Sequence, residues 1–299
     1  MLARFEESFS EQDMNAVRAL MAGAVDYAGL FPPASLPMAN AVRNYARYQR
    51  GPNNWALGNF VVAADRLKEF DSTAAGLGLE QRVTLSVVLP SPEFDSGRLA
   101  AGLAFGYVAS AEVRVAETAQ VRELASLVPP GITNYFEIPM SRDREDLLVV
   151  IAEEGERAKL RTGGTQRGSI PSPLEVSQFL FECFRARVAF KATAGLHHAI
   201  RGVHALTDEA NAPAELMHGF LNVLLAAALA FEGQDEENVL GMLEETSRSA
   251  FRFSDSGFEW RGVNTGIETL KRMREEFAIS FGSCSFEEPI GELRSLGLI

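Results

Sequence analysis

Short runs of β-branched and apolar residues alternate along this chain with amphipathic stretches of helical period, the pattern of strand, returning helix and next strand that feeds a parallel sheet. The runs predict strands at Ala24–Ala28, Asn59–Ala63, Val83–Leu89, Glu112–Ala116, Asn134–Ile138, Ala158–Arg161 and Val188–Thr193. An eighth candidate is Gly219–Val223, in front of the apolar stretch Val223–Phe231. The spacing suits one strand plus one crossover helix per unit, and eight such units close a barrel. The fold class predicted is therefore α/β, a (β/α)8 TIM-barrel-like domain over residues 1–233. Helix starts support it. Ser172-Pro173-Leu174-Glu175 is a capping box with proline at the first helical position, which predicts a helix from there to about Ala186. Asp65 and Ser141 are weaker caps for the second and fifth helices, and Pro32-Pro33 interrupts the chain after the first strand.

The rhythm changes near Gln234. Apolar and polar residues alternate from Phe251 to Trp260 around Asp255-Ser256-Gly257, which predicts a β-hairpin, and a helix follows over Ile267–Phe277. Residues 234–299 are thus expected as a C-terminal appendage packed on the barrel and not folding independently, serving as a lid, an edge cover or a homo-oligomer contact.

With 299 residues, 46% of them hydrophobic, the chain can bury a large core. Its net charge of −12 argues against duplex nucleic acid and anionic membrane as partners, since both demand a positive face. The segment Met1–Asp13 carries four acids and no apolar stretch of signal-peptide length, so the cytoplasm is the expected compartment. The longest apolar run falls well short of the roughly 20 residues a membrane helix requires. Cys183 and Cys284 are the two cysteines, with no CxxC spacing; no metal and no cofactor are expected.

Two features point to chemistry. Residues 157–204 hold eight Lys/Arg against two acids, Glu175 and Glu182, in a chain that is otherwise strongly acidic, and all four histidines (His197, His198, His204, His218) lie in or just past this segment. Such a region can focus a small anionic substrate, a phosphate or carboxylate, although Arg157, Arg185 and Arg187 read equally well as solvated helix-end charges. Lysine is also rare: Lys68, Lys159, Lys191 and Lys271 stand beside 24 arginines. Lys159 and Lys191 sit in apolar strands, each followed within five residues by glycine. Their separation is one barrel unit, which places them on neighbouring strands about 5 Å apart. A neighbouring cation and desolvation lower a lysine's pKa and free the nucleophilic amine, a role arginine cannot fill. Lys191 is the expected Schiff-base residue, with Lys159 as its pKa-lowering or anion-contacting partner; two lysines that snorkel outward or pair with Glu137 are the structural alternative.

Gly163-Gly164, Arg161 and Arg167 ahead of the capped helix suggest an anion cradle. Glu137 and Asp26 are carboxylates at strand ends, suited to acid/base work or to pairing with lysine. His197-His198 lack metal-ligand spacing and fit proton transfer or substrate contact better. Asn222, four residues after His218, could overhang the pocket, and Cys284, for which the sequence offers no base, is read as structural.

The stretch Lys191-Ala192-Thr193-Ala194-Gly195 resembles the Lys-Thr-Ser-Thr-Gly strand of deoxyribose-phosphate-aldolase-like class I aldolases. Those barrels carry a second lysine on an adjacent strand before a Gly-Gly phosphate loop, to which Lys159 with Gly163-Gly164 is similar in kind. The resemblance implies a metal-independent lyase acting on a small phosphorylated or carboxylated carbonyl compound. Taken whole, the chain also looks like a group of bacterial proteins from which no activity is carried over. Two other readings stay open: a phosphate-binding isomerase or phosphoribosyltransferase-like barrel without imine chemistry, and a non-catalytic binding or interaction protein.

Overall fold

A computed structural model describes residues 15–100, 102–140, 144–207 and 211–299. Its elements, in chain order, are α1 (Ala16–Met21), β1 (Val25–Tyr27), α2 (Met38–Gln49), β2 (Leu57–Ala63), α3 (Leu67–Gly76), β3 (Val83–Val88), β4 (Gly106–Arg114), α4 (Thr118–Leu127), β5 (Thr133–Glu137), α5 (Glu145–Glu153), β6 (Arg157–Arg161), α6 (Pro173–Ala186), β7 (Phe190–Thr193), β8 (Gly202–Ala205), β9 (Ala214–Met217), α7 (Phe220–Phe231), α8 (Glu236–Glu244), β10 (Arg252–Phe253), β11 (Gly257–Trp260), β12 (Val263–Gly266), α9 (Ile267–Glu276), β13 (Ala278–Ser283) and α10 (Glu287–Ser295). Strands β1, β2, β3, β4, β5, β6, β7 and β13 form a closed barrel in which every pair is parallel. The α/β barrel expected from the alternation is what the chain forms.

The eighth barrel strand is β13, not Gly219–Val223. Helix α7 occupies 220–231 instead, with Phe220 through Ala230 buried, and it packs against α6, α8 and α9. A helix apolar on every side is one covered on every side, and its continuous apolar run carries no periodicity that separates it from a buried strand. The expected boundary at 233/234 therefore does not divide barrel from appendage, because the closing strand lies beyond it. The expected hairpin does form and is extended by a third strand to the sheet β10-β11-β12, followed by helix α9 as read from the sequence. Strand β4 begins at Gly106, six residues ahead of its expected start at Glu112.

Each barrel strand alternates its side chains between two environments. One face, with Val25, Phe60, Val62, Leu85, Val87, Phe136, Leu160, Ala192 and Phe281, is buried among the helices. The alternate positions carry Asp26, Ser86, Glu112, Glu137, Lys159, Lys191 and Ser280, all buried and all polar or charged. Strands covered on both sides ordinarily read as continuous apolar runs, so this polar layer is the departure that marks the barrel interior.

The capping box at α6 is present: Ser172 Oγ accepts from the Glu175 N–H at 3.3 Å and the Glu175 carboxylate accepts from the Ser172 N–H at 2.7 Å. Asp65 is not a cap; it lies in a 3-10 turn ahead of α3, whose N-terminus has no side-chain cap. Ser141 lies outside the described residues. First and last units are tied by buried Arg274, which donates to the carbonyls of Leu20 (2.7 Å), Ala22 (3.1 Å) and Ala278. Among the described residues no helix is long and apolar enough to cross a membrane.

Candidate active site

A cavity of about 460 Å³ opens at the end of the barrel where the strands finish, the face on which barrel enzymes carry their sites. Lys159, Lys191 and Glu112 belong to its walls, together with Arg161, Thr193, His197, His198 and Cys284; the hairpin β8-β9 contributes Ala205, Leu206 and Met217 from above.

Register sets the floor. Glu137 on β5 pairs with Lys159 on β6, Lys159 with Lys191 on β7, and Lys191 with Ser280 on β13. The two lysines are thus direct cross-strand neighbours, as their spacing in the sequence predicts. Their surroundings differ. Lys191, with a side chain 1% exposed, donates to Asp26 Oδ2 at 2.5 Å and Glu112 Oε1 at 2.6 Å, and its ammonium lies 5.3 Å from the centre of the Tyr135 ring. Asp26 also accepts from Ser280 Oγ and from the Asn59 N–H, both at 2.7 Å, while Glu112 accepts from Ser86 Oγ at 2.6 Å. Lys159, with a side chain 7% exposed, makes ion-pair contacts with Glu112 Oε2 at 2.9 Å and Glu137 Oε2 at 3.1 Å. Glu137 is shared further with Arg161 Nε (2.8 Å) and Arg114 (2.7 Å).

The electrostatics follow from this sharing. Burial by itself would strip the proton from Lys191, but the carboxylates of Asp26 and Glu112 outweigh it and hold the ammonium above the ordinary lysine range. Burial likewise opposes the charge on Glu112, yet the two ammonium groups pull its carboxyl well below the usual carboxylate range. Glu137 is drawn down to about 2, against its own burial, by Lys159, Arg161 and Arg114. The expectation that Lys191 has a lowered pKa is therefore overturned: two anions reach it before its cationic neighbour does, and it is a locked ammonium.

Of the eight basic residues between 157 and 204, Lys159, Arg161 and Lys191 line the cavity. Arg185 and Arg187 lie at the C-terminal end of α6, ahead of β7 and at the opposite end of the barrel, so they are the solvated helix-end charges of the alternative reading. Gly164 reaches the cavity, whereas Gly163 packs backbone to backbone on Gly195: a Cβ at Gly163 would lie 3.0 Å from the Gly195 Cα. Gly195 itself has φ of +77°. Glycine is thus required here to let the loops after β6 and β7 touch.

Both predicted histidines reach the rim. His197 Nδ1 lies 2.8 Å from Glu288 Oε2, and Cys284 Sγ is 3.9 Å from either ring nitrogen. Burial would lower the imidazole, but its contacts with Cys284 and Glu288 raise it to about 10. His198 pairs with Glu292 at 3.3 Å and stacks on His204 with ring centres 3.4 Å apart, coupling hairpin to barrel. Among the described residues there is no His/Cys/Asp/Glu group arranged to hold a metal.

Asn222 is not a cavity residue. It is fully buried, accepts from the Arg201 N–H at 2.8 Å and donates to the carbonyls of Met242 and Glu245, so it staples loops together. His218 faces Pro171 O at 2.8 Å, and burial lowers it to about 4. Glu112, Ser86 and Ser280 were missed by the sequence reading. Glu112 carries the same signal as Asp26 and Glu137, a charge inside an apolar run.

A closed parallel barrel with an ionic floor beneath a C-terminal-face cavity defines the class. Neither a protein-family model nor a curated protein matches the chain.

Proposed function

We propose that the protein is a carbon–carbon lyase of the imine-forming type, acting on a small carbonyl compound that carries a carboxylate or phosphate. The observation that carries this reading is the unequal treatment of two register-paired lysines at the cavity floor. Lys191 meets its two carboxylates at 2.5 and 2.6 Å and serves as a fixed positive charge, whereas Lys159 meets its two at the longer distances of 2.9 and 3.1 Å. Lys159, on the adjacent strand and more open to the cavity, is the amine that attacks, which exchanges the roles assigned from the sequence. Three carboxylates (Asp26, Glu112, Glu137) face four cations (Lys159, Lys191, Arg161, Arg114), so departure of one proton leaves the cluster balanced.

Lys159 first releases one proton to solvent and its nitrogen adds to the carbonyl carbon; the carbinolamine takes a proton back on its hydroxyl, which leaves as water, and the iminium so formed draws electrons from the bond to be broken. Lys191 stands beside the oxygen on which negative charge develops during addition. Arg161 and the loops at Gly164 and Gly195 receive the anionic end of the substrate. Among charged side chains lining the cavity, Lys159, Arg161, Lys191 and the His197 imidazolium outnumber Glu112 and Glu288, which supports an anionic ligand in an otherwise acidic protein.

Borohydride reduction in the presence of a panel of small hydroxyaldehydes, phosphorylated aldehydes and keto acids tests the reading. A reduced adduct on the peptide containing Lys159, lost in Lys159→Met, is expected. No adduct from any member of the panel would sink the proposal, and an adduct on Lys191 would sink the assignment of roles. A second reading, a phosphate-binding isomerase that uses both lysines only as charges, is favoured by the ion pairs of Lys159. It predicts that Lys159→Arg keeps measurable turnover, which imine chemistry forbids.

A further inference from the structure

The sequence offered Cys284 no base, and the fold supplies one. β13 ends at Ser283 and α10 begins at Glu287, so Cys284 and Glu288 flank the turn between them. The loop after β7 brings His197 across to both. Glu288 engages Nδ1 at 2.8 Å, which fixes the ring and leaves Nε2 as the nitrogen to exchange a proton with the sulfur; Sγ lies 3.9 Å from both nitrogens, so it closes on Nε2 for that exchange. All three side chains line the same cavity as the lysines, and Ser285 Oγ, which accepts from the Glu288 N–H at 3.2 Å, holds the turn. Nucleophile, base and orienting carboxylate in this order form the constellation by which a thiol is activated. The imine reading leaves this constellation unused. The other cysteine, Cys183, is fully buried in α6, and burial raises its thiol well above the ordinary range.

We propose that Cys284, His197 and Glu288 form a covalent addition site at the cavity rim, whose ligands are small α,β-unsaturated carbonyl compounds. Sulfur is a soft nucleophile and prefers the conjugated carbon of such a compound to its carbonyl carbon. A bond forms between Sγ and the β-carbon while the carbon–carbon π bond breaks and its electrons pass to the carbonyl oxygen as an enolate. The proton taken from the sulfur is the one the His197 imidazolium carries, and the ring delivers it to the α-carbon as the enolate collapses. Nothing is oxidised or reduced and there is no leaving group. His197 is a catalytic residue here and Glu288 a positioning residue. Occupation of the rim by the thioether blocks the way to the lysine floor.

The test is incubation of the full-length protein with methyl vinyl ketone, followed by peptide mass spectrometry and by a pH profile of the rate. One adduct on Cys284 is expected, with Cys183 untouched. His197→Ala is expected to slow addition about 100-fold. Glu288→Gln, which keeps the shape of the side chain, is expected to slow it about tenfold and to shift the pH profile, a change that a merely structural role would not produce. Thermal melting confirms that each variant is folded, and Glu288→Gln carries the test if His197→Ala is not. Equal rates in wild type and folded variants, or a Cys284 rate no greater than that of a cysteine-containing peptide, overturns the proposal. The site does not depend on imine chemistry: Lys159→Met is expected to keep the Cys284 adduct, so failure of the lyase reading and failure of this one are separate results.

Discussion

Replacing Lys191 by methionine removes the ammonium and keeps most of the volume, leaving Asp26 and Glu112 buried with one cation fewer between them. Each retains other partners: Asp26 keeps Ser280 Oγ and the Asn59 N–H, and Glu112 keeps Ser86 Oγ and Lys159. Breaking a buried ion pair from one side costs about 3–5 kcal/mol, and the surviving partners place this case near 3 kcal/mol. For a urea m-value of roughly 3 kcal/mol per M, the unfolding midpoint falls by about 1 M. The sign of the pH dependence is equally definite. In the wild type Glu112 is held below its unfolded value, so its stabilisation is present above the ordinary carboxylate range and lost only in acid. In the variant Glu112 has one ammonium fewer holding it down, so less of that stabilisation is present at neutral pH to be lost in acid. The gap between the two proteins therefore narrows between about pH 7 and pH 3. Adding Asp26→Asn to Lys191→Met is expected to recover about 2 kcal/mol at neutral pH. Urea titrations of the three proteins at the two pH values check all of this. A gap below about 1 kcal/mol, or one that does not change with pH, would refute the view that Lys191 is a locked ammonium.

Other consequences follow from single contacts. Glu137→Gln should flatten the acid limb of the stability curve, because Glu137 is held at about 2 and its contribution is present above its ordinary value and lost as pH falls toward 2; urea unfolding between pH 5 and 3 measures it. His197→Gln should flatten the alkaline limb, since an imidazolium raised to about 10 contributes fully below the ordinary histidine value and fades as pH rises toward 10; thermal melts from pH 6 to 10 are the check. Ser172→Ala should cost about 1 kcal/mol by removing one side of the capping box, read from urea unfolding. Gly163→Ala should cost about 1–3 kcal/mol, because its Cβ meets backbone that cannot swing aside, and a change smaller than that in melting temperature terms would show that the β6 and β7 loops are free to part.

The architecture was legible wherever hydrophobic period and turn chemistry agreed. Six strands and helix α6 lie close to where the alternation and the Ser-Pro-Leu-Glu box put them, while β4 overlaps its expected run only over 112–114. The eighth was hidden by a property of composition. Ala278–Ser283 contains serine, glycine and serine, residues that a barrel interior accepts at its polar mouth but that dilute the apolar signal of a strand, whereas α7 presented the strongest apolar run in the chain. In the site, lysine scarcity singled out the two residues that the register pairs, since an ammonium in an apolar strand has to be explained by something it meets. What it meets was not legible. Asp26 is separated from Lys191 by 165 residues and Glu112 by 79, and which carboxylate reaches which ammonium depends on barrel stagger, which local sequence does not encode. The different partners of Lys159 and Lys191 are a consequence of that stagger, and so is the meeting of His197 with Cys284 and Glu288.

An ionic layer at the centre of a barrel is a poor way to gain stability. Apolar residues of equal volume would serve as well or better, because desolvation consumes most of the attraction between buried charges. The surrounding shell shows where the stability comes from instead: the opposite faces of the same strands are buried among helices through Phe60, Phe136, Leu160 and Phe281. That shell also fixes the charges in place, since a strand locked by packing on one face cannot move its side chains on the other. A network held this way has its dipoles oriented before any ligand arrives, and the reorganisation that water would demand during reaction is already complete. The costly layer and the rigid shell are thus one arrangement. If Lys191 is the fixed charge of that arrangement, then a hydrophobic floor made by replacing Asp26, Glu112, Lys159 and Lys191 together should give a barrel at least as stable as the natural one and inert toward carbonyl compounds, whereas any single replacement should lose stability first.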